Sequence, residues 1–312
     1  MLASECLSVV IAVPFAGRID DLAWIESLLQ ERAESLEKRW ESLERAASRE
    51  DCFFEKASAT LERLKTFCRE GDENLDICMF LQLYAQTVLD ITYFEENTLV
   101  DGNFPEDSSL EQVTDIINIL SEPENLIKLL KDREEHANLT LELLECLYWR
   151  RGALLYMYCH TIRHNEQKID KSSDILSKFL KEGISYLLTM LNVKCPVKLE
   201  GGVSFQDLNT ATLLSQGVFS DTHLLAMMYA GEMCYWILKH CEGKETPQCN
   251  VSDAETSKDK GDSFQKDTLD FQDIGEKMLL KYVSVCEGPL KGQGWSTENA
   301  IEILDFLKKI GN

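Results

Sequence analysis

Apolar residues recur three and four positions apart along most of this 312-residue chain, the spacing that places them on one face of an α-helix. The first such stripe lies in residues 20–48, with Glu and Arg between its members. It consists of Leu22, Ile25, Leu29, Leu36, Trp40, Leu43 and Ala47. The stripe is narrow, so it suits either docking on the rest of the protein or pairing with a partner helix. Periodicity alone does not choose between the two.

Similar patterns, bounded by caps and chain breakers, predict further helices along the chain. They lie near residues 52–69, 75–99, 110–120, 123–135, 139–164, 173–191, 205–216, 221–241, 269–286 and 296–310. Ser108 and Glu111 have the spacing of a capping box, and Pro123 suits the first turn of a helix. We therefore expect a helix break just before Pro123.

Strand patterns are essentially missing, because alternating apolar and polar residues flanked by hairpin turns do not occur. The predicted fold class is therefore all-α, an irregular multi-helix bundle of about ten helices with one disordered insertion. The insertion is assigned to residues 242–266, which hold few large apolar side chains. The predicted organisation is an N-terminal segment over 1–19, a helical domain over 20–241, the insertion, and C-terminal helices over 267–312 that pack back on the same domain.

The stretch LLECLYWRRGALLYMYCHTIRH, residues 143–164, is apolar nearly all round and predicts a buried helix. Its charged residues are expected to emerge along one rim or to pair with one another; they are Glu142, Glu145, Arg150 and Arg151. Replacing Trp149 with Ala should cost roughly 3–5 kcal/mol if the ring is fully buried. Loss of binding without loss of stability would instead mark Trp149 as an interface anchor.

Three glycines lie inside predicted helices, at Gly152, Gly183 and Gly231. Each costs about 1 kcal/mol relative to Ala in such a position. Their presence predicts close helix crossings, where a side chain would not fit.

The chain carries 32 Lys and Arg against 54 Asp and Glu, a formal net charge of -22. Such a charge repels phosphate backbones and anionic lipids, so we expect neither nucleic acid nor a charged membrane surface as a partner. No segment reaches the ~18 uninterrupted apolar residues that span a bilayer. The richest candidate, residues 223–238, is interrupted by Glu232.

Eleven cysteines are spread through the sequence without C-x-x-C pairs, which favours a reducing compartment. Residues 7–16 form an apolar run like the core of a signal peptide. However, Glu5 stands where that signal needs positive charge, and Pro14 interrupts the run. We therefore expect the protein to act in the cytoplasm.

A metal-binding or enzymatic alternative centres on His160 and His164, which lie four residues apart as two zinc ligands on one helix face would. Thr161 stands where a zinc hydrolase needs Glu, and Cys159 points about 100° away along the helix. None of the five histidines has Glu three residues before it, as di-iron helices require. Phosphate-binding, dinucleotide-binding and nucleophile-elbow motifs are also missing. These features favour a non-catalytic protein with no cofactor, while the alternative stays open.

Several long strings look familiar together. They are VLDITYFEEN at residues 88–97, FPEDSSL at 104–110, LLECLYWRRGALLYMYCH at 143–160, GVSFQDLNTATLLSQGVFSDTHLLAMMYAGEMCYW at 202–236 and KYVSVCEGPLKGQGW at 281–295. On these strings the chain resembles the Rab-seven-interacting Mon-one/Ccz-one complex subunit family, a small animal family of non-catalytic Rab regulators. The likeness extends over roughly residues 52–310.

The resemblance implies a cytoplasmic adaptor that binds the small GTPase Rab seven, with its GDP form favoured, and that associates with the Mon-one/Ccz-one guanine-nucleotide exchange complex. It further implies a role in Rab stability and in autophagy, with recruitment to late endosomes and to damaged mitochondria during mitophagy. No catalytic residue carries over.

Candidate partner contacts lie where aromatic and acidic side chains stand together near predicted helix ends and turns. They are Tyr93, Phe94, Glu95, Glu96, Phe104, Glu106, Asp107, Phe205 and Asp207. Loops that display aromatic and acidic residues suit recognition. The same residues also suit a helix end, a turn and an N-cap, and the sequence leaves both interpretations open.

Overall fold

The computed structural model describes residues 16–46, 52–69, 76–105, 108–131, 137–164, 166–194, 220–241 and 270–310. All regular structure in these ranges is α-helical, which confirms the predicted fold class. The helices are α1 (Ala16–Ala46), α2 (Cys52–Arg69), α3 (Ile77–Asp101), α4 (Ser109–Leu130), α5 (Leu141–Arg163), α6 (Glu166–Val193), α7 (Asp221–Cys241), α8 (Phe271–Glu287) and α9 (Glu298–Ile310). Of the predicted N-terminal segment 1–19, residues 1–15 lie outside the described residues and residues 16–19 belong to α1. The predicted helix 205–216 and the insertion 242–266 also lie outside the described residues.

One boundary prediction is wrong, because α4 is a single helix that continues through Pro123. A proline inside a helix lacks the backbone N–H that would close one turn. Here Pro123 is buried, and Leu120 and Leu126 on either side of it are 0% and 4% exposed. We infer that burial of apolar side chains on both sides of the proline outweighs the missing hydrogen bond.

The chain forms two compact units, and two helices contribute residues to both. The first unit comprises Met1–Asn97 and Asn118–Thr140, and the second comprises Thr98–Ile117 and Leu141–Asn312. The first unit therefore holds α1, α2, most of α3 and the second part of α4, whereas α5 to α9 belong entirely to the second.

In the first unit the stripe of α1 docks on the protein itself, which settles the question that its periodicity left open. Its members Ile25, Leu29, Leu36 and Trp40 are at most 5% exposed, as is Ala33, which lies between them. Trp40 packs on Phe54 of α2, with ring centroids 4.3 Å apart, and Phe54 meets Phe94 of α3 edge-on at 6.3 Å. Helices α1, α2 and α3 thus share one core.

In the second unit the mid-helix glycines mark close crossings, as predicted. A Cβ at Gly152 of α5 would lie 2.6 Å from the Leu187 side chain of α6, and one at Gly231 of α7 would lie 2.4 Å from Leu279 of α8. At Gly183 of α6 the nearest atom would be the terminal methyl of Met233, at 2.4 Å. The three glycines therefore allow neighbouring helices to approach closely.

Among the described helices, α3 is long and apolar enough to cross a bilayer by length and composition. The sequence analysis singled out a segment of α7 instead, because it looked for uninterrupted apolar runs and polar residues interrupt the run of α3. However, 61% of the most apolar window of α3 is buried inside the protein. This burial is typical of a core helix and does not indicate a membrane span.

Candidate partner-binding surface

Helices α5 and α7 are joined by a row of stacked aromatic rings. Trp149 and Tyr156 lie seven residues apart on α5, as do Tyr229 and Trp236 on α7, so each pair shares one helix face. The ring centroids are 5.8 Å apart for Trp149 and Tyr229, 3.7 Å for Tyr229 and Tyr156, and 5.3 Å for Tyr156 and Trp236. We call these four residues the aromatic column. Because the contacts advance in the same direction along both helices, α5 and α7 run parallel.

The aromatic column lies partly at the surface. Trp149, Tyr156 and Tyr229 are half-buried, while Trp236 is 5% exposed. The prediction of a fully buried α5 is therefore only partly right. One face of α5, which includes Leu147, Leu154 and Leu155, is buried, and the face that carries the column is partly exposed.

A cation covers one end of the aromatic column. The guanidinium of Arg163 lies over the ring of Trp236, 4.4 Å from its centroid. Burial lowers the pKa of Arg163 from its ordinary value, with Tyr235 and Glu232 acting in the opposite direction. Such a contact is worth roughly 0.5–2 kcal/mol, depending on how far the cation is removed from water.

A buried carboxylate, Glu232 of α7, lies beside the aromatic column and is 6% exposed. It accepts hydrogen bonds from the hydroxyl of Tyr156, at 2.6 Å, and from the side-chain amide of Asn299 of α9. Burial raises the pKa of Glu232, while these two hydrogen bonds and Arg163 oppose the increase. The carboxylate fixes the position of Tyr156 and joins α5, α7 and α9, which is a structural role.

His160 and His164 are both exposed at the end of α5, with ring centroids 4.3 Å apart. Nδ1 of His164 lies 2.8 Å from the carbonyl of His160. Burial, His164 and Arg163 lower the pKa of His160. Cys159 is 0% exposed and lies on a different side of the helix. Within the described ranges, no group of three or more His, Cys, Asp or Glu side chains is placed to hold a metal ion.

Two of the four charged residues of α5, Glu145 and Arg151, contact residues outside α5, which the sequence did not predict, whereas Glu142 is 74% exposed, as expected for a residue on the rim. Glu145 contacts His223 of α7, 2.9 Å from its Nε2, and forms an ion pair with Lys194. Arg151 is 3% exposed and lies against the rings of Tyr148 and Tyr186. Lys194, His223 and Tyr186 are distant in sequence from α5, so helical spacing within α5 could not reveal these contacts.

The nine residues predicted as partner contacts fall in different settings. On α3, Phe94 packs on Phe54. Arg39 binds Glu95 in a bidentate manner, with Nε 3.0 Å from Oε2 and Nη2 2.7 Å from Oε1. Glu96 is 6% exposed, whereas Tyr93 is half-buried. Glu106, Asp107, Phe205 and Asp207 lie outside the described residues.

Phe104 is a buried aromatic residue that packs on α5 within the second unit. It is 4% exposed and meets the ring of Tyr158 edge-on, with centroids 5.7 Å apart. Its backbone φ is +51°, an uncommon left-handed conformation for a bulky residue, and Asn103 before it has φ +50°. Its N–H donates to the carbonyl of Leu99 and closes the end of α3.

The sequence did not predict the aromatic column, because it depends on two helices lying side by side. The available signal was the seven-residue spacing of Trp149 with Tyr156 and of Tyr229 with Trp236. Partly exposed Trp, Tyr and Arg side chains are the residue types that most often anchor protein interfaces. The arrangement is suited to recognising another protein.

Fold and site together define an all-α protein with a partly exposed column of stacked aromatic rings on α5 and α7. The family model described as "RAB7A-interacting MON1-CCZ1 complex subunit 1" matches residues 53–308. This chain belongs to that family, which confirms the resemblance read from the sequence.

Curated relatives with that same name align over most of their length. The human protein is 54% identical over 268 residues, covering 86% of this chain and 90% of the relative. The mouse protein is 52% identical over 271 residues, with the same two coverages. The protein of Danio rerio is 47% identical over 281 residues, covering 90% of this chain and 96% of the relative. No solved structure matches significantly.

Proposed function

We propose that this chain binds RAB7A and associates with the MON1–CCZ1 complex as a non-catalytic subunit. The observation that carries the proposal is family membership over residues 53–308, since the relatives are named for this interaction and this complex. The aromatic column supports it, because half-buried Trp and Tyr rings favour protein recognition.

The chain would act on the GTPase by differential affinity for its two nucleotide states. A ligand shifts a two-state protein only by as much as it binds one state better than the other. The switch segments of a small GTPase are ordered by the γ-phosphate and are released in the GDP form. A helical surface that shelters the released segments favours GDP-loaded RAB7A.

Two cellular consequences belong to the same proposal. A protein that is held by a partner is stabilised by mass action, so this chain would raise the stability of RAB7A. The bound pair would move from the cytoplasm to late endosomes and, during mitophagy, to damaged mitochondria. The net charge of -22 makes direct attachment to anionic lipids unfavourable, so recruitment would depend on protein partners.

The predicted contact residues remain part of the proposal. Tyr93 keeps part of its side chain at the surface, which suits a partner contact. Phe94 and Glu95 are half-buried and contact Phe54 and Arg39, while Glu96 and Phe104 are buried, so substituting these four residues would affect folding as well as binding. Glu106, Asp107, Phe205 and Asp207 are best tested by direct substitution.

Capture of RAB7A in both nucleotide states tests the proposal. Purified full-length chain is immobilised and exposed to RAB7A loaded with GDP or with a non-hydrolysable GTP analogue. We expect stronger capture of the GDP form. Equal capture would contradict the state preference, and no capture of either form would contradict GTPase binding. Capture of the MON1–CCZ1 complex by the immobilised chain is measured in a separate experiment.

A further inference from the structure

The two ends of the aromatic column differ. At the Trp236 end, the guanidinium of Arg163 covers the ring. At the other end, Trp149 is half-buried, and no Arg or Lys of the described residues stacks on it. The column therefore has one end capped by a cation and one end that lacks this cap.

Two carboxylates share the helix face of Trp149. Glu145 and Glu142 precede it by four and seven residues on α5, which places them one and two turns away. The Glu142 side chain is 74% exposed. Lys194 pairs with Glu145 and lies 3.9 Å from Glu142. Lys194 lies nearer to Glu145 than to Glu142, so the mostly exposed Glu142 carboxylate is only weakly neutralised.

We infer that the Trp149 end of the aromatic column is the docking point for a cationic side chain, Arg or Lys, presented by the GTPase. This inference rests on the proposed function and adds a surface and a recognition chemistry to it. An indole face attracts a cation through its quadrupole, and nearby carboxylates pair with the same charge. The net charge of -22 further favours a positively charged partner surface.

The protein already uses this chemistry internally at two places. Arg163 covers Trp236, and Arg151 lies 4.6 and 4.9 Å from the ring centroids of Tyr148 and Tyr186. A partner arginine at Trp149 would complete the column as Arg163 does at its other end. Because Trp149 is already held by stacking on Tyr229, little side-chain freedom is lost when the partner binds.

Titration of GDP-loaded RAB7A against full-length variants tests the inference. Trp149→Leu removes the π face and is expected to weaken binding about tenfold, whereas Trp149→Phe keeps a π face and should stay within about threefold of wild type. Glu142→Lys should weaken binding about three- to tenfold, with the larger effect at low salt, because it reverses an exposed charge at the docking point.

Trp24→Leu is the matched control, since Trp24 is a partly exposed tryptophan of α1 in the first unit. It should bind like wild type. Thermal unfolding of each variant checks that it is folded. If Trp149→Leu does not fold, Glu142→Lys alone tests the docking point, because Glu142 is mostly exposed and its substitution should not disturb folding. Wild-type affinity in both Trp149→Leu and Glu142→Lys would overturn the inference, as would equal losses for Trp149→Leu and Trp149→Phe. Failure of the wild-type chain to bind RAB7A would instead refute the proposed function itself.

Discussion

At the scale of single residues, the start of α7 depends on an unusual cap. The Ser220 N–H donates to Nδ1 of His223 at 3.3 Å, and the Ser220 hydroxyl lies 3.0 Å from the same nitrogen. Nδ1 is therefore the unprotonated nitrogen, and Nε2–H donates to Glu145. This geometry supplies one half of a capping box, with His in place of the usual Glu or Gln as the side chain that accepts from the N-cap N–H. A proton on Nδ1 would remove the acceptor of the Ser220 N–H.

We therefore expect the protein to lose stability in mild acid partly through His223. Burial lowers the pKa of His223, Lys194 adds to the decrease and Glu145 opposes it. The folded state then binds fewer protons than the unfolded state, so this stability is present above about pH 6.5 and is lost as the pH falls through the folded pKa. Urea midpoints at pH 7.5 and 5.5 measure the loss.

His223→Gln supplies the comparison, because Gln keeps an acceptor at the capping position but does not titrate in this range. Its midpoint should change less with pH than that of wild type. Ser220→Ala removes the hydroxyl that contacts Nδ1 of His223 and should cost about 1 kcal/mol at both pH values, the net value of one hydrogen bond. The same pH dependence in wild type and His223→Gln would show that His223 is not the responsible group.

At the scale of helices, patterns of apolar residues were enough to locate most elements. The predicted bounds 52–69 and 221–241 agree with α2 and α7, because local periodicity and caps fix where a helix begins and ends. The predicted helix break before Pro123 was wrong, because we infer that packing of buried apolar side chains offsets the missing backbone hydrogen bond. The contacts of Glu145 with Lys194 and His223, and the aromatic column, were not predictable because they depend on which helices become neighbours.

The α7–α8 crossing gives a prediction at this scale. Gly231→Ala places a methyl 2.4 Å from Cγ of Leu279, an atom near the backbone that has little room to move. We expect a loss of about 1–3 kcal/mol in the free energy of unfolding, measured by chemical denaturation. Gly183→Ala is the matched control and should lose less, because the terminal methyl of the flexible Met233 can move aside.

A double variant identifies the contact responsible. Leu279→Ala alone should destabilise the protein by creating a cavity, but combined with Gly231→Ala it should recover part of that loss, since the added methyl then has space. Strict additivity of the two losses would argue against a clash between these two positions.

At the scale of the whole molecule, the net charge of -22 sets how stability responds to salt. Like charges repel within the compact state, and salt screens that repulsion. We expect the unfolding temperature to rise by about 2–4 °C between 20 and 300 mM NaCl, the shift that ~1 kcal/mol produces in a chain of this size. Differential scanning calorimetry measures it. A steady decrease would show that ion pairs such as Arg39 with Glu95 outweigh the net repulsion.

The division of the chain bears on how any binding region can be mapped. Each unit is assembled from two separate stretches, because the chain enters the second unit at Thr98, returns to the first at Asn118 and leaves it again at Leu141. No single cut therefore yields either unit whole. A nested set of truncations would remove part of a folding unit at every step, and would report misfolding as though it were a lost interaction. Point substitutions at exposed positions avoid that ambiguity.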